Sequence, residues 1–245
     1  MLNIVVPMAG LGSRFSAAGF VEPKPLIPVF GRPMIERVID NLRPSGAHRF
    51  IFICQRAHEF QHGLSARLRT MAPGCEVVLT EGLTEGAACS VLLARDLVDG
   101  PQPMLIANCD QYVDMEIDDF LADGSTRKLD GLVMTMPADD PKWSFVRTGV
   151  SGLAEEIREK VVISNEATVG IYQFSRGADF VRGALAMISR DERVNGEFYV
   201  APVYNDLIAE GARIGVHDIG TRMHGIGTPD DLARFLKEFS TERLR

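Results

Sequence analysis

Cysteine is scarce in this chain, and what there is does not pair. Cys54, Cys75, Cys89 and Cys109 form no C-x-x-C motif, so neither a zinc site nor a disulfide framework is expected. All four read as buried thiols of a reducing compartment. Long apolar runs are missing too: none reaches the ~18 residues that a membrane span needs. The opening "MLNIVV" carries no basic segment before it and no small-residue cleavage site after it, so the expected location is cytoplasmic. Positive charge is in deficit. A net charge of -7 suits a chain poorly to wrapping nucleic acid, which calls for a basic surface; no nucleic-acid and no membrane partner is expected. The five histidines (48, 58, 62, 217 and 224) show no triad-like or metal-like spacing. Internal repeats, low-complexity tracts and linker-like stretches are absent from the sequence.

What remains is an ordinary globular composition over 245 residues, enough to bury a large core as one domain. Short β-rich runs alternate with helical patterns. "NIVVPMA" (3–9), "RFIFIC" (49–54), "CEVVLT" (75–80) and "PMLIANCD" (103–110) predict strands. Helices are predicted between them at 33–42, 56–71 and 85–96, the first with Ile35, Val38, Ile39 and Leu42 on one face and Pro33 in its first turn. Four β-α units in a row predict an α/β fold with a mostly parallel sheet flanked by helices. The second half reads as strands at 131–137, 143–149, 152–159 and 167–174. Helices at 177–190 and 200–210, a strand at 213–218 and a last helix at 229–239 complete it. The sheet is therefore expected to become mixed.

The connection between Ala9 and Pro33 is too long to be a plain link in a compact domain, and such connections tend to be functional. It leaves the carboxyl end of a strand, where ligands bind in open α/β sheets. In "GLGSRF" (10–15), Gly10 and Gly12 let main-chain N–H groups approach an anion. Arg14 adds a forked donor, and Lys24, fixed between Pro23 and Pro25, adds a compact positive charge. "GLGSRF" alone reads equally well as a glycine turn with exposed basic residues. It is neither a Walker loop, since no G-K-[ST] follows, nor a full dinucleotide fingerprint, since Phe15 stands where a third glycine belongs. With "PKPLIPVFGRPMI" behind it, a phosphate-holding loop is the better account. Arg14, Lys24, Arg32 and Arg37 make the first forty residues a basic cluster, opposed by Glu22, Glu36 and Asp40.

"VPMAGLGSRF…EPKPLIPVFGRPMIERVIDNL" resembles the N-terminal signature of the nucleotidyltransferases that activate sugar phosphates, the nucleoside-diphosphate-sugar pyrophosphorylases. The similarity runs in ordered patches over nearly the whole chain. It implies a Rossmann-like mixed sheet of the nucleotide-diphospho-sugar transferase type in a single domain. A nucleotide-binding half would span about 1–112 and an acceptor-binding half about 113–245. It also implies transfer of a nucleotidyl group from an NTP to a small phosphorylated acceptor, with release of pyrophosphate.

The resemblance distributes roles over residues that composition alone leaves ambiguous. Asp110 in "LIANCDQ" reads alone as a turn or cap aspartate; by the resemblance it binds Mg²⁺. Ala9, Gly10, Gly12, Glu81, Gly86 and Ala87 would hold the nucleotide, the small residues of "TEGAA" letting a flat base lie on the backbone. Glu159 and Lys160, by themselves a solvated surface pair, would take the acceptor's polar groups and its phosphate. Asn165 and Gly170 in "SNEATVGIY" would line the same pocket, and Glu197 and Tyr199 of "GEFYVAPVYN" would stand beside it. Arg14, Lys24 and Lys160 would be the catalytic cations. Gly225 of "HGIGTPDDL" departs from the pattern, because many members carry there an aspartate that is the second metal ligand.

The acceptor is expected to be a sugar phosphate or another phosphomonoester such as phosphocholine. "ANCDQ" and "EFYVAPVYN" are similar to bacterial members tied to surface-polysaccharide precursors. The NTP (CTP, dTTP, UTP or GTP) and the formation of a homo-oligomer are left open. A nucleotide-sugar-dependent glycosyltransferase is a second reading, weakened by "DQY" where a D-x-D motif would stand. A non-catalytic nucleotide-binding regulatory subunit is a third, resting on Gly225.

Overall fold

The opening apolar run becomes β1 (Leu2–Pro7), whose Ile4, Val5 and Val6 are fully buried. Successive strand side chains point to opposite faces, and here both faces are covered: Ile4 and Val6 join one core cluster, Val5 the other. The long connection that follows is structured. It holds α1 (Ser13–Ala17), a 3-10 turn at Lys24–Leu26, and the two-residue strands β2 (Pro28–Val29) and β3 (Arg32–Pro33), which pair with each other. Then α2 (Met34–Leu42) buries the predicted Ile35, Val38, Ile39 and Leu42, with Pro33 just ahead of its first turn.

β4 (His48–Gln55) leads to α3 (Arg56–His62) and α4 (Leu64–Met71). The single helix predicted over 56–71 is two, because Gly63 between them has φ 58°. β5 (Glu76–Thr80), α5 (Ala87–Leu92), α6 (Arg95–Val98) and β6 (Met104–Ala107) complete the first half. Here too the helix predicted over 85–96 is broken. After Asn108 come β7 (Gln111–Val113) and α7 (Ile117–Thr126), neither of which the sequence pattern predicted. The predicted strands follow as β8 (Gly131–Pro137), β9 (Ser144–Thr148), β10 (Ala154–Glu159) and β11 (Glu166–Phe174). α8 (Gly177–Ser189), a 3-10 turn at Ala201–Val203, α9 (Tyr204–Ala209), β12 (Ile214–Asp218), β13 (Met223–Gly225) and α10 (Pro229–Glu238) close the computed structural model, which describes residues 1–240.

One sheet of nine strands, in the order β10-β9-β11-β6-β1-β4-β5 with β8 beside β11 and β12 beside β8, runs through both halves of the chain. β1, β4, β5 and β6 pair in parallel, as do β8 and β12, while β11 opposes β6, β8 and β9, and β10 opposes β9. Seven of the nine strands therefore point one way, with β10 and β11 reversed. β7 and β13 form a separate antiparallel ribbon. Among the described residues no helix is long and apolar enough to cross a membrane. Cys54, Cys75 and Cys109 are buried as expected; Cys89 is only half-buried, and all four are free thiols.

The feature that positions the site is a fault in β11. Its first half meets β9 at Ala167, and its second half, Ile171–Phe174, pairs with β6. β8 flanks it on the opposite edge, with the register shifted between Thr168 and Tyr172. Gly170 sits in that shift at φ 83°. A side chain there would be strained, and its Cβ would lie 2.9 Å from Gln111 Oε1 and closer still to the Asn108 amide. The sheet opens between β6 and β9 at this point, beside the carboxyl ends of β1 and β6.

Candidate active site

Three connected hollows, of about 360, 500 and 420 Å³, occupy that opening. Each is within the size range of small-molecule sites. Asn108 lines all three, Arg14 the first and second, Asp110 the second and third, and Ala87 and Tyr199 the first and third. They are lobes of one cleft. The first lies against the end of β10 and is called here the β10 lobe. The second lies against β13 and α10, and the third against the glycine-containing loop after β1.

The loop lobe is lined by Ala9, Gly10, Lys24, Gly86, Ala87, Asp110 and Glu197. Lys24 Nζ donates to Asp110 Oδ2 at 2.8 Å, so the two groups expected to serve opposite ends of the chemistry meet directly. Burial works to lower the Lys24 pKa, but the neighbouring Cys109 and the Asp110 carboxylate outweigh it, and the net direction is upward. Burial also pushes the Cys109 thiol up, which leaves it neutral near pH 7. The charge that holds Lys24 is therefore that of Asp110. Gly12 packs on the Lys24 side chain outside the lobe, where an added Cβ would stand 3.1 Å from Lys24 Cβ.

The β10 lobe brings together Arg14, Lys142, Trp143, Ser144, Glu159, Lys160, Gly170 and Tyr199. Lys160 Nζ donates to Tyr199 Oη at 2.5 Å, and this bond is the main cause of the raised Lys160 pKa. Glu159 is 7% exposed and accepts a hydrogen bond from Ser144 Oγ. Burial nevertheless pushes its carboxyl above the ordinary range. A carboxyl that binds its proton more tightly folded than unfolded stabilises the fold at low pH and loses that contribution as pH rises through the raised value. Glu159→Gln, which cannot ionise, is therefore expected to gain in Tm relative to the parent as pH climbs from 4.5 toward neutrality. Paired melting curves across that range check it, and a constant Tm difference would contradict the burial argument.

The second lobe is lined by Arg14, Asp110, Gln111, Gly225, Gly227, Thr228, Asp231 and Arg234, with Met136, Trp143 and Met223 as its apolar walls. Where Gly225 replaces the expected aspartate, an added Cβ would meet nothing closer than Asp231 Cγ and Oδ2, both at 3.8 Å. Asp231 belongs to the first turn of α10. Its amide donates to Thr228 Oγ1 at 3.1 Å, and its Oδ2 accepts from the same hydroxyl at 2.7 Å, an N-cap that holds the carboxylate in the lobe. Among the described residues no group of three or more His, Cys, Asp and Glu gathers as for a metal. Asp110, at the junction of two lobes, has the donor chemistry for a hard cation that keeps phosphate oxygens and water as its other ligands.

Arg14, Lys24, Asp110 and Lys160 thus share one cleft, together with Ala9, Gly10, Gly86, Ala87, Glu159, Gly170, Glu197 and Tyr199. Glu197 lines the loop lobe instead of the β10 lobe expected for it, because Phe198 between it and Tyr199 turns the chain across both. Glu81 and Asn165 line none of the lobes. The Glu81 carboxylate pairs with Arg56 on the surface, and Asn165 is drawn away by its main-chain oxygen, which accepts from Ala138 N. Sequence reasoning overlooked Asn108, Gln111, Lys142 and Trp143. Asn108 stood in plain view at the end of a predicted strand, two residues before Asp110. Lys142 and Trp143 reach the site through the β11 fault, which no local pattern announces.

Residues 4–163 match the family described as the MobA-like NTP transferase domain. The bifunctional protein GlmU of Cupriavidus necator is 26% identical over 218 residues, 86% of this chain and 45% of that protein. The mannose-1-phosphate guanylyltransferase catalytic subunit beta of Danio rerio is 26% identical over 180 residues, 71% of this chain and 50% of that protein. The chain spans about half the length of these curated relatives. Among solved structures, the nucleoside-diphosphate-sugar pyrophosphorylase of Vibrio cholerae RC9 superposes with a TM-score of 0.82 at 25% identity, covering 96% of this chain and 99% of that one. A UDP-glucose pyrophosphorylase complexed with UDP-glucose shares the fold at a TM-score of 0.76 and 16% identity, covering 97% and 98%.

Proposed function

The chain belongs to the family of MobA-like NTP transferase domains, and from that premise we propose that it transfers a nucleotidyl group from an NTP to a small phosphorylated acceptor, releasing pyrophosphate. The observation that carries the reading is the convergence of Arg14, Lys24, Asp110 and Lys160 on one cleft whose lobes are large enough for two ligands. The loop lobe takes the nucleotide, its base against Gly86 and Ala87 and its phosphates toward Gly10, Arg14 and Lys24. The β10 lobe takes the acceptor, with Lys160 on its phosphate and Glu159 and Tyr199 beside it.

In the reaction, an acceptor phosphate oxygen attacks the α-phosphorus of the NTP, the bond from that phosphorus to the bridging oxygen breaks, and pyrophosphate leaves with the electron pair. A phosphomonoester's second pKa is ≈ 6, so the nucleophile is already anionic and no general base is required. The work lies in bringing two polyanions together against a repulsion that a partly dry site makes severe. Arg14 faces two lobes and can bridge the substrates, Lys24 holds the NTP phosphates, and Lys160 holds the acceptor. Mg²⁺, held by Asp110, would neutralise phosphate charge and fix the α-phosphate for in-line attack.

The test is an incubation of the protein with each NTP, Mg²⁺ and a panel of sugar phosphates and other phosphomonoesters, with pyrophosphate measured. Release with one NTP–acceptor pair is expected. NTP binding without release under any pairing would make the protein a non-catalytic binding subunit, and transfer from a preformed nucleotide-sugar would make it a glycosyltransferase. The precursor of a surface polysaccharide is the product class that the sequence favours.

A further inference from the structure

Lys160 is held more firmly than a lysine on a strand end needs to be. Its backbone is left-handed, φ 57°, a conformation that costs free energy for a residue with a side chain. Its amide donates to Trp143 O at 2.9 Å. At the other end, the ammonium is hydrogen-bonded to Tyr199 Oη and lies 4.6 Å from the centroid of the same ring. Hydroxyl and ring face together restrict a long, flexible side chain that is otherwise free to take many rotamers.

Tyr199 is itself anchored, and the anchor lies in the other lobe. The amide of Phe198 donates to Glu85 O at 2.7 Å, and Phe198 O accepts from Ala88 N at 3.0 Å. These two bonds bracket Gly86, where α5 begins. The segment 197–199 is thus a strap from the loop lobe to the β10 lobe: Glu197 lines the first, and Tyr199 lines both. The Glu197 carboxylate also acts on the Tyr199 hydroxyl. Carboxylate, phenol and ammonium therefore follow one another from lobe to lobe.

We infer that Tyr199 is a positioning residue: it holds the Lys160 ammonium at the place taken by the acceptor's phosphate and ties that place to the start of α5. The inference rests on the reading of the β10 lobe as the acceptor lobe. Tyr199→Phe keeps the ring face and removes the oxygen that accepts from Lys160; Tyr199→Ala removes both.

The chain's one tryptophan, Trp143, reports on this lobe, which it lines next to Lys160. The experiment titrates inorganic phosphate into the full chain, reading Trp143 fluorescence and, in parallel, the phosphate-dependent rise in Tm. Tyr199→Phe is expected to weaken apparent phosphate affinity about three- to tenfold, the scale of one lost hydrogen bond. Tyr199→Ala should weaken it further, and Lys160→Met should abolish the saturable response. In the Lys160→Met background, adding Tyr199→Phe should change nothing more, because a residue that acts through Lys160 has nothing left to act on. If Tyr199→Phe binds phosphate as the parent does while Lys160→Met does not, the positioning role is wrong and the acceptor lobe stands. If Lys160→Met binds phosphate as the parent does, the acceptor lobe falls and the inference with it.

Discussion

Lys24→Ala is expected to lower kcat by about two to three orders of magnitude, the scale of a lost electrostatic donor at a site of developing charge. The size of the effect follows from where the ammonium sits. Lys24 is largely withdrawn from water, where its charge acts through less screening than on a surface. Its raised pKa keeps it cationic at every working pH, so the loss should be the same at pH 6 and pH 9. Its 3-10 turn, Lys24–Leu26, follows Pro23 and holds Pro25 within it, which fixes the backbone before any ligand arrives. In the free protein the partner of Lys24 is Asp110, the carboxylate that would hold Mg²⁺, and NTP phosphates in the loop lobe would offer the ammonium its other acceptors. Steady-state kinetics with the NTP–acceptor pair found by pyrophosphate release checks the prediction. Turnover within threefold of the parent, in a variant whose melting curve is unchanged, would remove the loop from the mechanism.

That loop was legible in the sequence because its chemistry is local: two glycines, an arginine and a lysine between prolines lie within one connection after one strand. The parallel half of the sheet was legible for the same reason, since the apolar runs that become β1, β4, β5 and β6 are contiguous. What escaped is what depends on distant segments meeting. The β7–β13 ribbon joins Gln111–Val113 to Met223–Gly225, three residues on each side, too short for a pattern to show. The fault in β11 that admits Lys142 and Trp143 to the cleft arises because β9 and β6 compete for one edge of one strand. α7 is a different case. Ile117 and Phe120 are buried one turn apart above an acidic first turn of Asp118 and Asp119, a readable start, but Gly124 and the polar "GSTRK" behind it dilute the helical signal. Glu81 shows the opposite failure. It was placed by resemblance on a loop whose exposed side offers Arg56 as a partner, and the ion pair carries it away from the cleft.

Gly86→Ala is expected to act through the fold where Lys24→Ala acts through charge. Gly86 adopts φ 123° and ψ 175°, a region that essentially only glycine occupies, at a cost of about 1–3 kcal/mol for another residue. An added Cβ would lie 2.6 Å from Phe198 N and 2.9 Å from its carbonyl carbon, nearer still to its oxygen. These are backbone atoms, with no flexible end to yield, so the strap must move and its two bonds to Glu85 and Ala88 weaken, at about 0.5–1.5 kcal/mol each. The sum is about 2–6 kcal/mol, and for a chain of this length each kcal/mol moves Tm by about 2–4 °C. A fall of roughly 10 °C is therefore expected by calorimetry. Gly46→Ala is the control, since a Cβ at that position meets nothing within 4 Å, and its Tm should stay within about 2 °C of the parent. A Gly86→Ala protein as stable as the control would mean that the strap does not rest on the start of α5. If the strap does rest there, the alanine reaches beyond stability. Displacing Phe198 displaces Tyr199, and phosphate binding in the β10 lobe should weaken although every residue lining that lobe keeps its identity.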